Sequence, residues 1–191
     1  MPSLSEADRQ KLLRLARQAV VEAVSLRRLP DKIPNDGVFA ERCGVFVTLR
    51  WRHRLRGCIG VIEGDDPLGE TVVRCAASAA LHDPRFAPLR PDDLGELEIE
   101  ISLLSPPAAI DPARIEIGQH GLLVSRGVQR GLLLPQVAVE HKLTAEQFLD
   151  EACRKAQLPR QSWRDPDTQM LGFTCEVFAD DGSGTHTQAG K

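Results

Sequence analysis

The chain has 191 residues, 42% of them hydrophobic and 27% charged, with a formal net charge of −3. That length supports one domain with a full core, and the slightly acidic balance disfavours nucleic acid, whose phosphates select basic surfaces. No stretch approaches the roughly 20 apolar residues of a membrane span. Five scattered cysteines, an odd number without a C-x-x-C pair, fit reduced thiols in a cytoplasm and argue against a disulfide framework or a clustered zinc site.

The N-terminus carries no apolar signal core and opens on a charged, capped helix. Ser5 with Asp8 resembles a capping box, with Asp in place of the usual Glu. Behind it, Leu12, Leu13, Ala16, Ala19, Val20, Ala23 and Val24 recur at helical spacing, which predicts a helix over residues 5–26. Two prolines and an Asn-Asp-Gly signal make Leu29 to Asp36 a loop. Gly44 to Trp51 reads as a strand, Arg52-His53-Arg54 as a turn, and Leu55 to Ile62 as the returning strand. Asp66-Pro67 is expected to start a helix, with the carboxylate as cap and the proline at the first helical position. That helix runs to about Leu81 with small residues at 76–80, and Asp83-Pro84 ends it. Leu97, Ile99, Ile101 and Leu103 alternate with Glu96, Glu98, Glu100 and Ser102, a period-two strand stopped by Ser105-Pro106-Pro107.

The second half follows the same order. Ile115 and Ile117 suggest a short strand, and Gly121 to Ser125 with Gln129 to Leu134 a hairpin. Pro135 opens a short helix through Glu140, Thr144 with Gln147 caps another, and Leu171 to Phe178 is the last strand. The reading is therefore an internal duplication. Pseudo-repeats lie at about 44–105 and 114–178, and Arg56-Gly57 and Arg130-Gly131 occupy equivalent places. All of this sits within one domain, 1–179, followed by a flexible polar tail at 180–191.

Candidate chemistry centres on Leu55-Arg56-Gly57-Cys58-Ile59-Gly60, which sets a cation, a thiol and two glycines in a strand interior. Glycine weakens a strand unless a bulge or a close backbone approach requires it. Cys58 is the candidate nucleophile, with Arg56 two residues away on one face. A catalytic thiol also wants a base, and no motif fixes a histidine beside it, so a small buried hydrophobe is the plainer reading. In Asp83-Pro84-Arg85-Phe86, Asp83 would hold Arg85 as a forked binder of carboxylate or phosphate. The plainer alternative is a helix terminator with a salt-bridged loop and Phe86 plugging the core. Glu98 and Glu100 share a strand face that reads first as solvated, and Gln136 and Glu140 sit one helical turn apart. No nucleotide-binding glycine loop and no metal motif occurs.

The same residues carry a resemblance. Gly44-Val45-Phe46-Val47-Thr48-Leu49, Leu55 to Gly60, Asp83 to Phe86, Ile99 to Ser102, Arg130 to Ala138 with Glu140, and Lys155-Ala156 with Trp163 together resemble the AMMECR domain family, in order. Leu158 after Gln157 departs from the Gly-Leu that relatives often carry there. The resemblance implies an α+β fold with a curled, barrel-like, mostly antiparallel sheet and flanking helices. It also implies membership of the AmmeMemoRadiSam system, with a Memo-like protein and a radical SAM enzyme as partners. The expectation is a cleft between the two halves, lined by Arg56, Cys58, Asp83, Arg85, Gln136, Glu140 and Trp163, with Gly57, Ile59, Gly60 and Phe86 as structural residues. Such a cleft would take an anionic small molecule or a modified peptide segment. The alternative is a non-catalytic adaptor.

Overall fold

A computed structural model describes residues 4–180. The chain divides into two compact units, one of residues up to Leu103 and from Glu176 onward, the other Leu104–Cys175. The fold is α+β, an antiparallel sheet with flanking helices, as the sequence predicts.

In the first unit, helix α1 spans Glu6–Leu26. Ser5 caps it by accepting from the Asp8 N–H at 3.2 Å. The return half of the capping box is different: Asp8, one methylene shorter than Glu, accepts a hydrogen bond from the Ser5 hydroxyl at 2.6 Å. The apolar stripe of α1 is buried from Leu12 to Val24, and all seven of the residues expected there lie inside. Strands β1 (Gly44–Trp51) and β2 (Arg54–Val61) form the expected hairpin. Its turn is tight: Arg52 and His53 both have positive φ, 51° and 62°. Neither is Gly or Asn, and side-chain contacts hold them. Arg52 stacks over Trp51 at 4.4 Å and pairs with Glu96, while His53 Nδ1 lies 2.7 Å from Glu98 Oε1. A bulge between Leu49 and Arg50 bends this ribbon.

Helix α2 spans Leu68–Leu81. Its start is where Asp66-Pro67 puts it, but Asp66 does not cap it. Pro67 is itself the N-cap residue, and the Asp66 carboxylate lies 2.9 Å from Arg74 Nη2 instead. Strand β3 is Leu97–Leu104. Val45, Val47 and Leu49 of β1 and Leu97, Ile99, Ile101 and Leu103 of β3 join α1 and α2 in one core. By the two-residue period of a strand, Thr48, Glu98, Glu100 and Ser102 take the opposite face. That face is not a solvated one: Thr48 and Ser102 are buried, and Glu98 and Glu100 half-buried.

The second unit holds β4 (Ala108–Ala109), β5 (His120–Arg126), β6 (Gln129–Leu133), α3 (Pro135–Glu140) and α4 (Ala145–Lys155). Thr144 and Gln147 form both halves of a capping box on α4, whose Phe148, Leu149, Ala152 and Cys153 pack against Leu122 and Val124. Ile115 and Ile117 form no strand. Asp111 caps a 3-10 turn at Pro112–Arg114, and a loop follows. Ile115 still points into the core, which accounts for its apolar character without a strand. The last strand, β7 (Gln169–Asp180), belongs to the second unit through Cys175 and to the first from Glu176. Its end is tied to α1 by Arg9–Glu176 and Arg17–Asp180 pairs, both at 2.8 Å. Asp180, the first residue assigned to the expected tail, closes β7, and 181–191 lie outside the described residues.

In hydrogen-bonded order the strands run β2-β1-β3-β7-β5-β6, with β4 on β7. The order hairpin, helix, strand recurs, though the second unit uses two helices where the first uses one. A duplication is not shown by that recurrence. In each returning strand a glycine admits a helix backbone: a Cβ on Gly57 would overlap the Ala79 carbonyl of α2, and one on Gly131 the Ala156 amide just after α4. Substitution of Gly57 by Ala is expected to cost about 3 kcal/mol or more, because its neighbour is backbone and cannot rotate away. Gly95→Ala, which meets open space, is expected to stay within about 0.5 kcal/mol of the parent in urea unfolding.

Candidate functional site

Strand β2 ends the sheet, so one of its edges has no strand partner. An uncovered edge offers bare N–H and C=O groups to any passing strand. At Cys58 this edge is closed by side chains from the loop that follows α2. The Cys58 N–H donates to Asp83 Oδ2 at 2.8 Å, and the Cys58 carbonyl accepts from Arg85 Nη2 at 3.1 Å. One carboxylate and one guanidinium thus serve as a single-residue strand partner.

The loop is built to present that pair. Asp83 Oδ1 accepts from the Arg85 backbone N–H at 3.1 Å and from Arg85 Nε at 2.9 Å, and Oδ2 accepts from Arg85 Nη2 at 2.6 Å. The Phe86 N–H closes the turn on the Asp83 carbonyl at 3.1 Å, and the Leu89 N–H returns the chain to the Ala80 carbonyl at 2.9 Å. Arg56 adds a further link through Nη2 to the Ala87 carbonyl at 3.3 Å. Positions 56–58 and 83–86, both assigned to the expected cleft, are neighbours in the structure.

The Asp83 side chain is 2% exposed and that of Arg85 51%. A buried carboxylate is tolerable only when it is paired and hydrogen-bonded, as this one is on both oxygens. The Arg85 guanidinium, with the Cys58 and Arg85 backbone N–H groups, holds the Asp83 carboxyl well below the usual carboxylate range against the opposing effect of burial. The same pairing raises Arg85. Asp83 is thus a permanent anion whose charge is answered, unsuited to proton transfer near neutrality. What it does is fix one edge of the Arg85 fork, with the guanidinium 5.3 Å above the Phe86 ring. Phe86 is half-buried and does not plug the core, contrary to the plainer sequence reading.

Cys58 is half-buried. Its register partner on β1 is Thr48, whose hydroxyl donates to Sγ at 3.3 Å. No histidine is hydrogen-bonded to this thiol among the described residues; His53 sits on Glu98 and His120 accepts from the Glu116 N–H. Burial pushes the thiols of Cys43 and Cys75 up to about 11 and that of Cys175 to about 12, and raises Cys153 as well. Ile59 packs on the core of the first unit, and Gly60 leaves room for the Phe46 ring.

Arg56, Cys58, Asp83 and Arg85 come together within the first unit. Gln136, Glu140 and Trp163 lie in the second. Gln136 is half-buried and Glu140 exposed on α3. Trp163 is engaged locally: its indole N–H donates to Asp150 Oδ1 at 2.9 Å, Arg164 stacks on it at 4.2 Å, and the ring packs on the core of that unit. Sequence reasoning missed Thr48 and the Ala87 carbonyl. Thr48 was legible in principle, as a hydroxyl out of phase with the apolar Val47 and Leu49, but its place opposite Cys58 depends on hairpin register.

The site thus closes the sheet edge with a buried Asp–Arg pair beside a strand thiol, drawn from two stretches of sequence. The AMMECR1 family model matches residues 13–178, and the chain belongs to that family. It is 42% identical to a protein of Methanothermobacter thermautotrophicus over 189 residues, covering 94% of this chain and 97% of the relative. It is 43% identical to a protein of Thermococcus kodakarensis, covering 89% of each. The crystal structure of the uncharacterised protein PH0010 from Pyrococcus horikoshii is similar with a TM-score of 0.88 at 38% identity, covering 93% of this chain and 94% of that one. No helix among the described residues is long and apolar enough to cross a membrane.

The Asp83 pair sets a pH dependence. A carboxyl depressed in the fold stabilises it fully above its ordinary value of 3.8, and the contribution fades as pH falls through that value toward the folded one. Asp83→Ala is expected to lose about 2–4 kcal/mol at neutral pH. The gap to the parent should then narrow as urea unfolding is repeated below about pH 4; a gap that stays constant down to acid would refute the ionic account. Brief alkylation of the folded chain at about pH 8, mapped by mass spectrometry, is expected to modify Cys58 ahead of the four thiols that burial holds protonated. Equal rates at Cys43 or Cys175 would contradict this.

Proposed function

We propose that this chain binds an anionic small molecule, or an anionic modified segment of a peptide, at the Arg56–Cys58–Arg85 neighbourhood. The observation that carries the reading is the half-exposed guanidinium of Arg85, held rigid by a carboxylate that is itself almost wholly buried. A guanidinium anchored through Nε and Nη2 loses little freedom when Nη1, the nitrogen these bonds leave over, meets a carboxylate or phosphate. Arg56, half-buried and bonded to the same loop, supplies a second cation. Asp83 offsets the Arg85 charge at close range, so Arg85 contributes a directed N–H donor and Arg56 the net positive charge. Cys58 serves as a contact residue beside the ligand. In this reading the chain acts in a modification or biosynthetic pathway, with a Memo-like protein and a radical SAM enzyme as its partners.

Inorganic pyrophosphate is a suitable probe, followed by calorimetry. Arg56→Ala, which leaves the Asp83–Arg85 pair intact, is expected to weaken binding about tenfold, the loss of one charge-assisted contact, with the melting temperature unchanged. Pyrophosphate that fails to saturate the parent, or that binds Arg56→Ala equally well, overturns the reading. The adaptor alternative gives a different result: a stable complex with the Memo-like or radical SAM partner in which Cys58 becomes protected from alkylation, without any anion dependence.

A further inference from the structure

The second unit contains a hollow of about 650 Å³ that the proposed site does not use. One wall is the segment that the sequence reads as a strand and that folds instead as a 3-10 turn and loop. The consequence of that geometry is a set of charges beside an apolar floor. Asp111 starts the turn, its Oδ1 accepting from the Ala113 N–H at 2.9 Å. Ile115 turns inward, 8% exposed, while Arg114 and Glu116 on either side of it stay exposed and line the hollow. The floor includes Ile110, whose side chain occupies the space that Gly172 leaves without one.

Two features of this lining point to a ligand. The first is that its charges do not answer one another. The Arg114 guanidinium makes no hydrogen bond or ion pair among the described residues, and the carboxylates of Asp111 and Glu116 have no cationic partner there either. The second is His120, at the start of β5, whose Nδ1 accepts the Glu116 N–H at 3.0 Å. That bond fixes the neutral tautomer with the proton on Nε2, so the imidazole adds a donor. An anion alone would satisfy Arg114 and His120 but face two carboxylates. A cation alone would satisfy the carboxylates but face Arg114. A ligand carrying both signs complements the whole wall, and one with an apolar body also covers Ile110.

We propose that this hollow binds a zwitterion with an apolar side chain, an amino acid or dipeptide whose carboxylate meets Arg114 and His120 and whose ammonium meets Asp111 and Glu116. The site is separate in its residues from the anion site proposed above, so the two stand or fall independently. The test uses the full chain and L-leucine and L-leucyl-L-leucine as probes, followed by calorimetry. Saturable binding by at least one is expected. N-acetylation of the probe, which removes the ammonium, and amidation, which removes the carboxylate, should each weaken it about tenfold. Arg114→Gln and Glu116→Gln, both at exposed positions, should do the same with circular dichroism unchanged, while Arg56→Ala should leave it unaffected. Absence of saturation up to about 10 mM, a concentration that would reveal even a millimolar site, overturns the proposal. So does equal binding of the blocked and free probes, or binding indifferent to both substitutions.

Discussion

A single buried carboxylate organises the first unit's edge. Asp83 stands where helix α2 has ended and the chain must turn, at the level of an end strand with an exposed N–H and C=O. It answers the N–H itself and recruits Arg85 to answer the carbonyl. Without it, the Cys58 N–H would lack its partner, the Arg85 fork would swing freely, and the Arg85 N–H would lose its acceptor within the loop. A charge in the interior is costly, and the compensation here is complete: both oxygens accept, and the neighbouring cation fixes the ionisation state. The same arrangement leaves the outer side of Arg85 in solvent, which is why a structural device and a recognition surface coincide at this place.

Close packing imposes the next constraint. Helix α2 lies against β2 at a distance that no side chain at position 57 permits, and the run of small residues in α2 makes the approach possible from its side. The second unit uses the same solution at Gly131 against the end of α4. In both units an Arg-Gly step on the returning strand brings a charged side chain next to a helix–strand contact. The glycines of the motif are therefore packing residues, and the chemistry belongs to the side chains around them.

The environment of Cys58 bears on what the thiol does. A hydroxyl donates to its sulfur and the loop of Arg85 covers its backbone, but no imidazole is bonded to it among the described residues. The arrangement suits a contact better than a nucleophile. The carboxylates of β3 are likewise drawn into structure, with Glu98 holding the positive-φ turn through His53.

Most elements were legible in the sequence because their causes are local. Ser5, Thr144 and Gln147 cap helices through neighbours three residues away, the β3 alternation sorts its own faces, and Gly44–Trp51 is strand-forming by composition. The pairing of 56–58 with 83–86 was legible as a conjecture from motif chemistry. What the sequence could not decide were competitions between local preference and tertiary partners. Asp66 has the look of a cap, yet Arg74 takes its carboxylate. Ile115 and Ile117 have the look of a strand, yet Asp111 and Pro112 open a 3-10 turn that buries Ile115 without one. Phe86 has the look of a core residue, yet it lies half-buried under a guanidinium. Chain-local hydrogen bonding and periodicity set the elements. Which carboxylate meets which donor depends on residues brought together only when the strands register and the helix settles on its glycine.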